Sequence, residues 1–367
     1  MVSYNTLTLL GFDHSAPSPA QPGLVSVIIV NWNRVALLQA CLESLLSAQG
    51  VPMEMIVVDN GSTDDSVGAV RRFAAGAPFP VRLIANRENR GFCAANNQGI
   101  AEARGEFVAL LNNDAEASPL WLHHLRRMFD DPGVGMAASK ILVHEDPRII
   151  DKVGHLIYPD GQNRGRGTGE IDSGQYDRVE EVLWPDGCAC MYRASMLASI
   201  GGFDEEFFAY ADDAELGLRA RICGWGCLYS PEAVVRHHRG STLGQANPRR
   251  IVLIERNRVL LAVKLFPGSL LWRNVAYYLA RLSAGLWAAL LNRGEISLHT
   301  TPAGKLSAAL ALLKGDLQAL PMIPSMLRKR RALRSLRKLS PRQVRQLILS
   351  HRITLRQLTQ NLARPRS

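Results

Sequence analysis

Four polar clusters are the residues of this 367-residue chain best placed to do chemistry, because each directly follows a predicted strand. All four are rich in Asn, Asp and Gly: Asn31-Trp32-Asn33, Asp59-Asn60-Gly61-Ser62, residues 86–91 and Asn112-Asn113-Asp114. The carboxyl ends of parallel strands meet at one edge of a sheet, where ligands bind. We therefore expect the four clusters to line one polar crevice that is large enough for a nucleotide.

A second set of candidate residues carries carboxylates and imidazoles further along the chain. Asp186 stands in one short segment, and Asp212 and Asp213 stand side by side in another. Adjacent acids raise each other's pKa, as a general base that works near neutral pH requires. The pair also suits the start of the helix predicted to follow it, because acidic groups interact favourably with a helix N-terminus. Two adjacent histidines, His237 and His238, come next.

The elements that must position these residues alternate between strand and helix. Runs of β-branched and apolar residues predict strands at 25–30, 55–58, 81–84 and 107–111, and helical patterns follow the first three. This alternation predicts an α/β fold whose parallel strands are joined by crossover helices. The first turn lacks both the Gly-rich dinucleotide motif and the P-loop lysine, so side chains and a metal must hold any nucleotide bound here.

Charge is distributed unevenly along the chain. The formal net charge is +10, yet residues 325–367 hold thirteen Lys or Arg and no acid, so residues 1–324 carry a net charge of −3. Cationic and apolar residues recur in this tail at helical spacing, which predicts a peripheral anchor on an anionic membrane, apart from the catalytic body. No segment is predicted to span a bilayer, because the most apolar one, residues 270–291, contains Arg273 and Arg281.

Cysteine usage and the N-terminal residues bear on the compartment. The six cysteines are scattered, and residues 1–23 lack the pattern of a secretion signal, so we expect reduced thiols in the cytosol. Cys188-x-Cys190 and Cys223-x3-Cys227 lack the two-residue spacing of a zinc knuckle, which favours core cysteines. Residues 1–23 contain several Pro and Ser residues and little apolar content, and they are predicted to be a disordered leader.

Six short motifs occur in order between about residues 24 and 265. They are Val25-Ser26-Val27-Ile28-Ile29-Val30-Asn31-Trp32-Asn33, Val58-Asp59-Asn60-Gly61-Ser62-Thr63-Asp64, Asn89-x-Gly91-Phe92, Leu110-Leu111-Asn112-Asn113-Asp114, Gly202-Phe203-Asp204-Glu205 and Asp212-Asp213-x-Glu215. In this series the sequence strongly resembles family 2 glycosyltransferases, above all the branch of rhamnosyltransferase- and galactofuranosyltransferase-like enzymes. Each motif alone is weak, and the ordered series carries the resemblance.

The resemblance implies a GT-A fold, in which helices flank a Rossmann-like mixed central sheet, here with an α-helical basic extension. It divides the chain into a leader (1–23), a nucleotide-sugar-binding half (24–115), an acceptor-binding and catalytic half (116–265), a helical extension (266–324) and a basic amphipathic tail (325–367). It further implies an inverting transfer of a deoxyhexose such as rhamnose, or of another hexose. The implied donor is a nucleotide-diphosphate sugar, the acceptor a saccharide or a polyprenyl-linked saccharide, and the cofactor Mg²⁺ or Mn²⁺.

The resemblance also assigns roles to residues, position by position. Asp213 matches the family's general base, and Asp212 is its neighbour in the motif. Asp114 matches the last acid of a metal-binding D-x-D motif whose first acid is an Asn here. His237 matches a late histidine that ligates the cation or touches the diphosphate, and His238 is the alternative. The residues implied to bind the nucleotide sugar are Asn31, Trp32, Asn33, Asp59, Asn60, Asn89, Gly91 and Asn113, and those implied to bind the acceptor are Trp184, Asp186 and Glu215.

Two other functions stay open. A nucleic-acid-binding protein would use the basic tail, where helix starts are predicted at Ser340 and Thr354, but the tail has no Tyr, Phe or Trp to stack on bases. A sugar nucleotidyltransferase would have a similar sheet, but it normally offers a Gly-rich first loop with a Lys, which is missing here. We therefore expect a glycosyltransferase of cell-surface polysaccharide synthesis, cytoplasmic and peripheral at the inner face of the cell membrane, with no nucleic-acid partner.

Overall fold

The computed structural model describes residues 20–239, 247–290 and 301–359. Residues 1–19 of the predicted leader (1–23) lie outside these ranges. The first strand begins at Gln21, before the predicted start of order at Leu24. The described strands are β1 (Gln21–Asn31), β2 (Met53–Asp59), β3 (Val81–Ala85), β4 (Gly105–Leu111), β5 (Ala115–Ala117), β6 (Val134–Val143), β7 (Ile150–Lys152), β8 (His155–Ile157), β9 (Asn163–Gly165), β10 (Glu180–Glu181), β11 (Ala189–Arg193) and β12 (Gly226–His237). The described α-helices are α1 (Val35–Ser44), α2 (Ser66–Gly76), α3 (Gly91–Glu102), α4 (Trp121–Arg127), α5 (Ala194–Ile200), α6 (Asp212–Ile222), α7 (Pro248–Leu265), α8 (Gly268–Leu290), α9 (Pro302–Ala319), α10 (Ile323–Ala332), α11 (Pro341–Ser350) and α12 (Leu355–Thr359).

One mixed sheet runs through the body of the protein in the strand order β10-β12-β6-β11-β4-β1-β2-β3. β1 pairs in parallel with β2 and β4, and β2 pairs in parallel with β3, which confirms the predicted parallel strands. β11 is antiparallel to both β4 and β6, so it joins this half of the sheet to a second half in which β6 and β12 are parallel. The α/β architecture with a mixed central sheet is therefore confirmed.

Both faces of the sheet are covered by helices, which explains why the predicted strands are apolar runs. Val25, Val27 and Ile29 of β1 belong to one hydrophobic core, and Ile28 between them belongs to the other, because side chains alternate along a strand. α1, α2 and α4 pack into the first core, and α3, α5, α6 and α7 pack into the second. All six cysteines are buried in these cores and none forms a disulfide, as the sequence predicted.

The C-terminal helices belong to the same body as the sheet. Met326 on α10 and Val344 and Ile348 on α11 are buried in the core that contains α6 and α7. The backbone N–H of Lys338 donates to the carbonyl of Ile222, at the end of α6, over 3.0 Å. The prediction that residues 325–367 form a tail apart from the catalytic body is therefore wrong for the described residues up to 359, because their apolar side chains complete the core.

Two C-terminal helices expose apolar side chains. α8 covers the predicted amphipathic segment 270–291 as far as residue 290. α9 follows after residues 291–300, which lie outside the described ranges. By length and composition, the helical segment Ala303–Ser335 is apolar enough to cross a membrane, contrary to the sequence prediction, and 22% of its most apolar window is buried within the protein. This criterion is weak evidence for a membrane span, because core helices of soluble proteins also meet it.

Candidate active site

The carboxyl ends of β1, β2 and β4 bring three predicted nucleotide-binding residues into direct contact. Asn31 Nδ2 donates to Asp59 Oδ1 over 3.0 Å, and Asn113 Nδ2 donates to Asn31 Oδ1 over 2.7 Å. The backbone N–H and the hydroxyl of Ser62 also donate to the Asp59 carboxylate. All three predicted residues are buried. These three side chains hydrogen-bond to one another, so their main structural effect is to fix the floor of the crevice.

A second group ties the end of β2 to the start of α3. Asn60 Nδ2 donates to Asn89 Oδ1 over 3.0 Å and to the carbonyl of Gly91 over 3.2 Å, while Asn60 Oδ1 accepts from the Arg90 backbone N–H. Gly91 has a φ of +86°, and a Cβ added there would lie 2.5 Å from the ring of Phe208. Only glycine fits this position, which docks α3 against the loop that precedes the two adjacent aspartates.

Trp32 and Asn33 form the rim of the crevice. The Trp32 residue is 38% exposed, so its ring is open to stack on a base. Asn33 has a left-handed backbone with a φ of 59°, and its N–H donates to the Ser62 hydroxyl over 2.7 Å. Its side-chain oxygen accepts from the Thr63 N–H over 2.8 Å. The hydrogen bonds of Asn33 therefore hold the rim next to the accessible ring of Trp32.

The predicted metal ligands Asp114 and His237 lie together. His237 Nε2 is 3.4 Å from Asp114 Oδ1, and His237 Nδ1 is 2.8 Å from Asp151 Oδ2. A carboxylate on the far side of an imidazole orients the ring, which is the usual support of a metal-binding histidine. The next residue, His238, contacts Glu116 instead. The structure therefore brings the imidazole of His237, and not that of His238, to the Asp114 carboxylate.

Asp212 and Asp213 begin α6, and the chain enters this helix through a strained loop. Phe208, Tyr210 and Ala211 have φ values of 65°, 68° and 54°, a left-handed region that non-glycine residues rarely occupy. Each such residue costs about 1–3 kcal/mol, so the surroundings must hold the loop in place.

Asn257 on α7 supplies that support. Its buried Nδ2 donates to the carbonyls of Phe207 and Ala209 over 2.9 Å each and to the carbonyl of Tyr210 over 2.7 Å. The Asn257 side chain is fully buried, so its amide donors depend on these carbonyls as partners. Asn257 therefore positions the loop that delivers Asp212 and Asp213.

A buried charge cluster lies beside Asp213. His155 Nε2 is 2.8 Å from Asp186 Oδ2 and 3.4 Å from Asp213 Oδ2, and Lys152 Nζ is 2.8 Å from the same Asp186 oxygen. The two carboxylates and the imidazole are close enough to hold a metal. Lys152 already supplies a positive charge to Asp186, however, and we interpret the cluster as an ion-pair network.

Burial and charge act in opposite directions on these acids. Burial raises the pKa of Asp213, and Asp186 adds to this effect, whereas His155 and Lys152 lower it. The pKa of Asp212 is raised well above its ordinary value by burial and then by the charge of Asp213. Burial also opposes ionisation of Asp186, but Lys152 and His155 outweigh it and hold the pKa of Asp186 well below its usual range. The carboxyl pair therefore has the raised basicity that general-base catalysis uses.

β7 joins the two parts of the site. Asp151 and Lys152 are consecutive residues of this strand, and they contact His237 and Asp186 respectively. The backbone of β7 therefore links the predicted metal ligands to the carboxylate cluster. β7 thus contacts both groups of residues. The predicted convergence concerned the four strand-end clusters and did not include His237 or Asp213.

Two of the three predicted acceptor-binding residues are wrong, because they are fully buried. The Trp184 ring stacks on His155 with the ring centroids 5.8 Å apart. Glu215 pairs with Arg219 over 2.8 Å and with Lys264 Nζ over 2.8 Å. Since Glu215 lies on the inner face of α6, its carboxylate serves the core and cannot reach an acceptor. The third predicted residue, Asp186, belongs to the charge cluster. Lys152 and His155 already contact its carboxylate.

Several residues of the site were not found from the sequence. Asp151, Lys152 and His155 lie within or beside a Gly-rich stretch that looks like a loop, and no motif marks them. Asn257 carries a usable signal, because it is a polar residue on the buried face of a helix whose other buried residues include Leu260 and Leu261. A buried amide in such a position must have polar partners, which points to a structural or positioning role.

Comparisons with known proteins identify a family domain within the chain. Residues 26–200 match the model of glycosyl transferase family 2. The chain is 30% identical over 236 residues to the protein y4gI of Sinorhizobium fredii, a match that covers 60% of this chain and 25% of that protein. It is 25% identical over 299 residues to N-acetylglucosaminyl-diphospho-decaprenol L-rhamnosyltransferase of Mycobacterium tuberculosis, covering 74% of this chain and 94% of the relative. The chain thus spans a quarter of the first relative and nearly all of the second.

Solved structures agree with this assignment at the level of the fold. The mannosyltransferase PcManGT of Pyrobaculum calidifontis, solved with GDP-Man and Mn²⁺, aligns with a TM-score of 0.51 at 19% identity. The alignment covers 86% of this chain and 93% of the mannosyltransferase. Residues 26–200 therefore form a glycosyltransferase family 2 domain, and the mixed α/β body has the GT-A fold.

Proposed function

We propose that this enzyme transfers a hexose, such as rhamnose, from a nucleotide-diphosphate donor to a saccharide or polyprenyl-linked saccharide, with inversion at the anomeric carbon. The observation that carries the proposal is that consecutive residues of β7 contact both groups. Asp151 contacts His237, beside Asp114, and Lys152 contacts Asp186 in the cluster around Asp213. A single displacement requires the leaving diphosphate and the general base at one site. The names of the relatives, a rhamnosyltransferase and a mannosyltransferase with GDP-Man, support the donor class.

Asp213 is the proposed general base. The acceptor hydroxyl oxygen forms a bond to the anomeric carbon on the face opposite the leaving group, and its proton passes to the Asp213 carboxylate. At the same time the bond between the anomeric carbon and the diphosphate oxygen breaks, and its electron pair leaves with the nucleoside diphosphate. One such displacement inverts the configuration at that carbon.

Asp114 and His237 fit a divalent cation, Mg²⁺ or Mn²⁺. They offer one carboxylate oxygen and one imidazole nitrogen 3.4 Å apart, and Asp151 orients the imidazole from behind. When bound, the ion neutralises negative charge on the departing diphosphate. The crevice formed by Asn31, Asp59 and their neighbours is the proposed site of the nucleoside, with Trp32 available to stack on its base.

A groove of about 440 Å³ between α7 and α9 is the proposed path of a polyprenyl-linked acceptor. Its apolar walls and two cations suit an isoprenoid chain and its phosphate. Arg250, beside the groove, stacks over the Tyr210 ring at 5.7 Å, two residues before Asp212. The groove residues used in this argument are Val252, Leu253, Leu310, Ala311, Arg249 and Lys314.

Membrane contact is proposed for α8 and α9 in place of the basic tail. Each helix carries an exposed apolar stripe at helical spacing, and the exposures in both stripes lie between 55% and 88%. Such stripes are typical of helices that lie in a membrane interface. The stripe residues are Trp272, Val275, Leu279, Leu286 and Trp287 on α8, and Leu306, Leu310, Leu313 and Leu317 on α9, with Leu320 directly after that helix.

Co-sedimentation with phosphatidylglycerol vesicles tests this surface. The double variant Trp272→Glu, Leu310→Glu should lose most of its vesicle binding, because each change places a charge in the apolar layer. Ile171→Glu is the matched control, since Ile171 is 68% exposed but lies outside both helices. Equal binding by the double variant and the control would rule out α8 and α9 as the membrane surface.

Donor binding and metal use test the reaction itself. We expect one nucleotide sugar in a panel of UDP, GDP and dTDP sugars to protect the enzyme against thermal unfolding, and an added acceptor to release the nucleoside diphosphate. EDTA should stop the release, and Mg²⁺ or Mn²⁺ should restore it. Asp114→Ala should weaken donor binding far more with metal present than in EDTA. Full activity in EDTA would contradict the roles of Asp114 and His237.

A further inference from the structure

We propose that the enzyme binds a Zn²⁺ ion at a second site formed by Glu116, His144 and His238, separate from the pair Asp114 and His237. The three side chains offer ligand atoms that lie within 4.8 Å of one another. They come from three elements: the middle of β5, the residue after β6 and the residue after β12. This site is independent of the proposed reaction.

The strand ladder fixes the position of the cluster. β12 pairs with β5 along one edge and with β6 along the other. The backbone N–H of His144 donates to the His237 carbonyl over 3.0 Å, and the N–H of His238 donates to the Asp114 carbonyl over 2.9 Å. Because consecutive side chains of an extended strand point to opposite faces, His238 is directed away from the site that His237 serves. The backbone therefore holds the two clusters back to back.

The distances in the cluster match ligand atoms around an ion. Glu116 Oε1 is 3.1 Å from His144 Nε2 and 3.4 Å from His238 Nε2. Charge-assisted hydrogen bonds are shorter, about 2.7–2.9 Å. Ligands bound to Zn²⁺ at about 2.0–2.1 Å in a tetrahedral site lie about 3.3 Å apart. The two observed distances therefore lie within about 0.2 Å of the spacing in such a coordination shell.

The arrangement of the imidazoles sets a condition on metal binding. The rings of His144 and His238 are stacked, with centroids 3.6 Å apart and an interplanar angle of 25°. A metal lies near the plane of each imidazole that binds it, so the His144 ring must turn for both to bind the same ion. Glu145 Oε1 lies 3.3 Å from His238 Nδ1, where it orients the ring and leaves Nε2 for the ion.

The donor set and its exposure identify the ion class. Two imidazoles and one carboxylate suit Zn²⁺, whereas Mg²⁺ and Ca²⁺ prefer oxygen ligands alone. The three side chains are between 23% and 31% exposed, so the ion can enter from solvent and a water can complete four ligands. Bound there, the ion would cross-link β5, β6 and β12 next to Asp114 and His237. This would be a structural role.

Zinc analysis of the full-length enzyme tests the site. With excess Mg²⁺ present, the wild type should retain a single equivalent of Zn²⁺ after dialysis against ZnCl₂ and removal of free metal. Asp114→Ala should keep this equivalent, and so should the control His123→Gln, which removes a histidine outside the cluster. His144→Gln and His238→Gln should lose it. Glu145→Gln should weaken zinc binding about 10- to 100-fold, because it removes the group that orients a ligand.

Two further readouts separate the site from folding defects and from the catalytic pair. Zn²⁺ should raise the melting temperature of the wild type and of Asp114→Ala but not that of His144→Gln. Co²⁺ should give visible absorption bands of a tetrahedral site in the wild type and in Asp114→Ala. Absence of retained zinc and of these bands in the wild type would overturn the proposal. So would loss of the zinc in Asp114→Ala with retention in His144→Gln.

Discussion

At the scale of single residues, Asp212 and Asp213 differ in ways that assign them different roles. Asp213 keeps some exposure: its Oδ1 accepts from the Ala214 N–H over 2.7 Å, and its Oδ2 faces His155. Asp212 is more deeply buried, and its pKa is raised well above the ordinary value by burial and by the neighbouring acid. We therefore interpret Asp213 as the base and Asp212 as a residue that raises the basicity of its neighbour at a cost in stability.

Substitution of each aspartate by asparagine should separate these roles. Asp213→Asn should lower kcat by roughly 10²- to 10⁴-fold with donor affinity nearly unchanged, because only the proton acceptor is lost. Asp212→Asn should lower kcat less and should raise the melting temperature at pH 7, since it removes a buried charge beside Asp213. Steady-state kinetics, donor calorimetry and thermal unfolding measure the three effects. The assignment is wrong if Asp212→Asn proves the more damaging to kcat.

The charge cluster predicts a pH effect whose sign follows from its contacts. Asp213 must be deprotonated to act, so kcat/KM should fall as the pH falls through its pKa. Lys152 lowers that pKa, and loss of its charge should raise it. Lys152→Met should therefore move the acid limb of the kcat/KM profile to higher pH, while Lys152→Arg, which keeps the charge, should leave the limb near its wild-type position. An acid limb at the same pH in Lys152→Met and in the wild type would contradict this account.

At the scale of elements, the loop 207–211 shows how α7 serves a site on α6. Asn257→Leu should remove three hydrogen bonds to this strained loop. We expect a loss of about 1–3 kcal/mol of unfolding free energy and a lower kcat, since the carboxylates lose their fixed position. Asn274→Leu is the matched control: Asn274 on α8 also donates to two carbonyls, at 159 and 160, but does not contact the loop. Urea unfolding and kinetics distinguish the variants, and an unchanged kcat in Asn257→Leu would refute the positioning role.

The elements also show what could be predicted from the sequence. The four strands and the polar residues at their ends, such as Asn31 and Asp59, follow from local patterns of β-branched and turn residues, and the structure confirms that they meet. Lys152 and His155 could not be predicted, because their role depends on contacts with Asp186, a residue more than 30 positions away. Glu215 was misassigned for the same reason, since its buried partners come from the far end of α6 and from α7.

At the scale of the whole molecule, the basic C-terminal region is in part an internal counterion. Lys329 on α10 donates to Asp204 Oδ1 and lies 2.8 Å from Glu206 Oε1. Lys264 lies 2.6 Å from the other oxygen of Asp204. Burial alone would raise the pKa of Asp204, but the two lysines outweigh it and hold that pKa well below its ordinary value. Net charge counted along the sequence could not reveal this, because a cation in a basic run and one in an ion pair contribute equally to the count.

The ion pairs of Lys329 give the last prediction. Lys329→Met should lower the free energy of unfolding by about 3–5 kcal/mol, because it leaves the buried Asp204 carboxylate with one cation fewer. Arg328→Met is the matched control: it removes the same charge from an exposed neighbour in the same helix, and its effect should stay within about 0.5 kcal/mol. Urea unfolding compares the two variants. Equal stability of Lys329→Met and Arg328→Met would show that α10 is an appendage and would revive the separate tail. If α10 instead belongs to the fold, deletion from Ser325 onward should leave a chain that fails to unfold cooperatively, since it removes Lys329 together with the buried Val344 and Ile348.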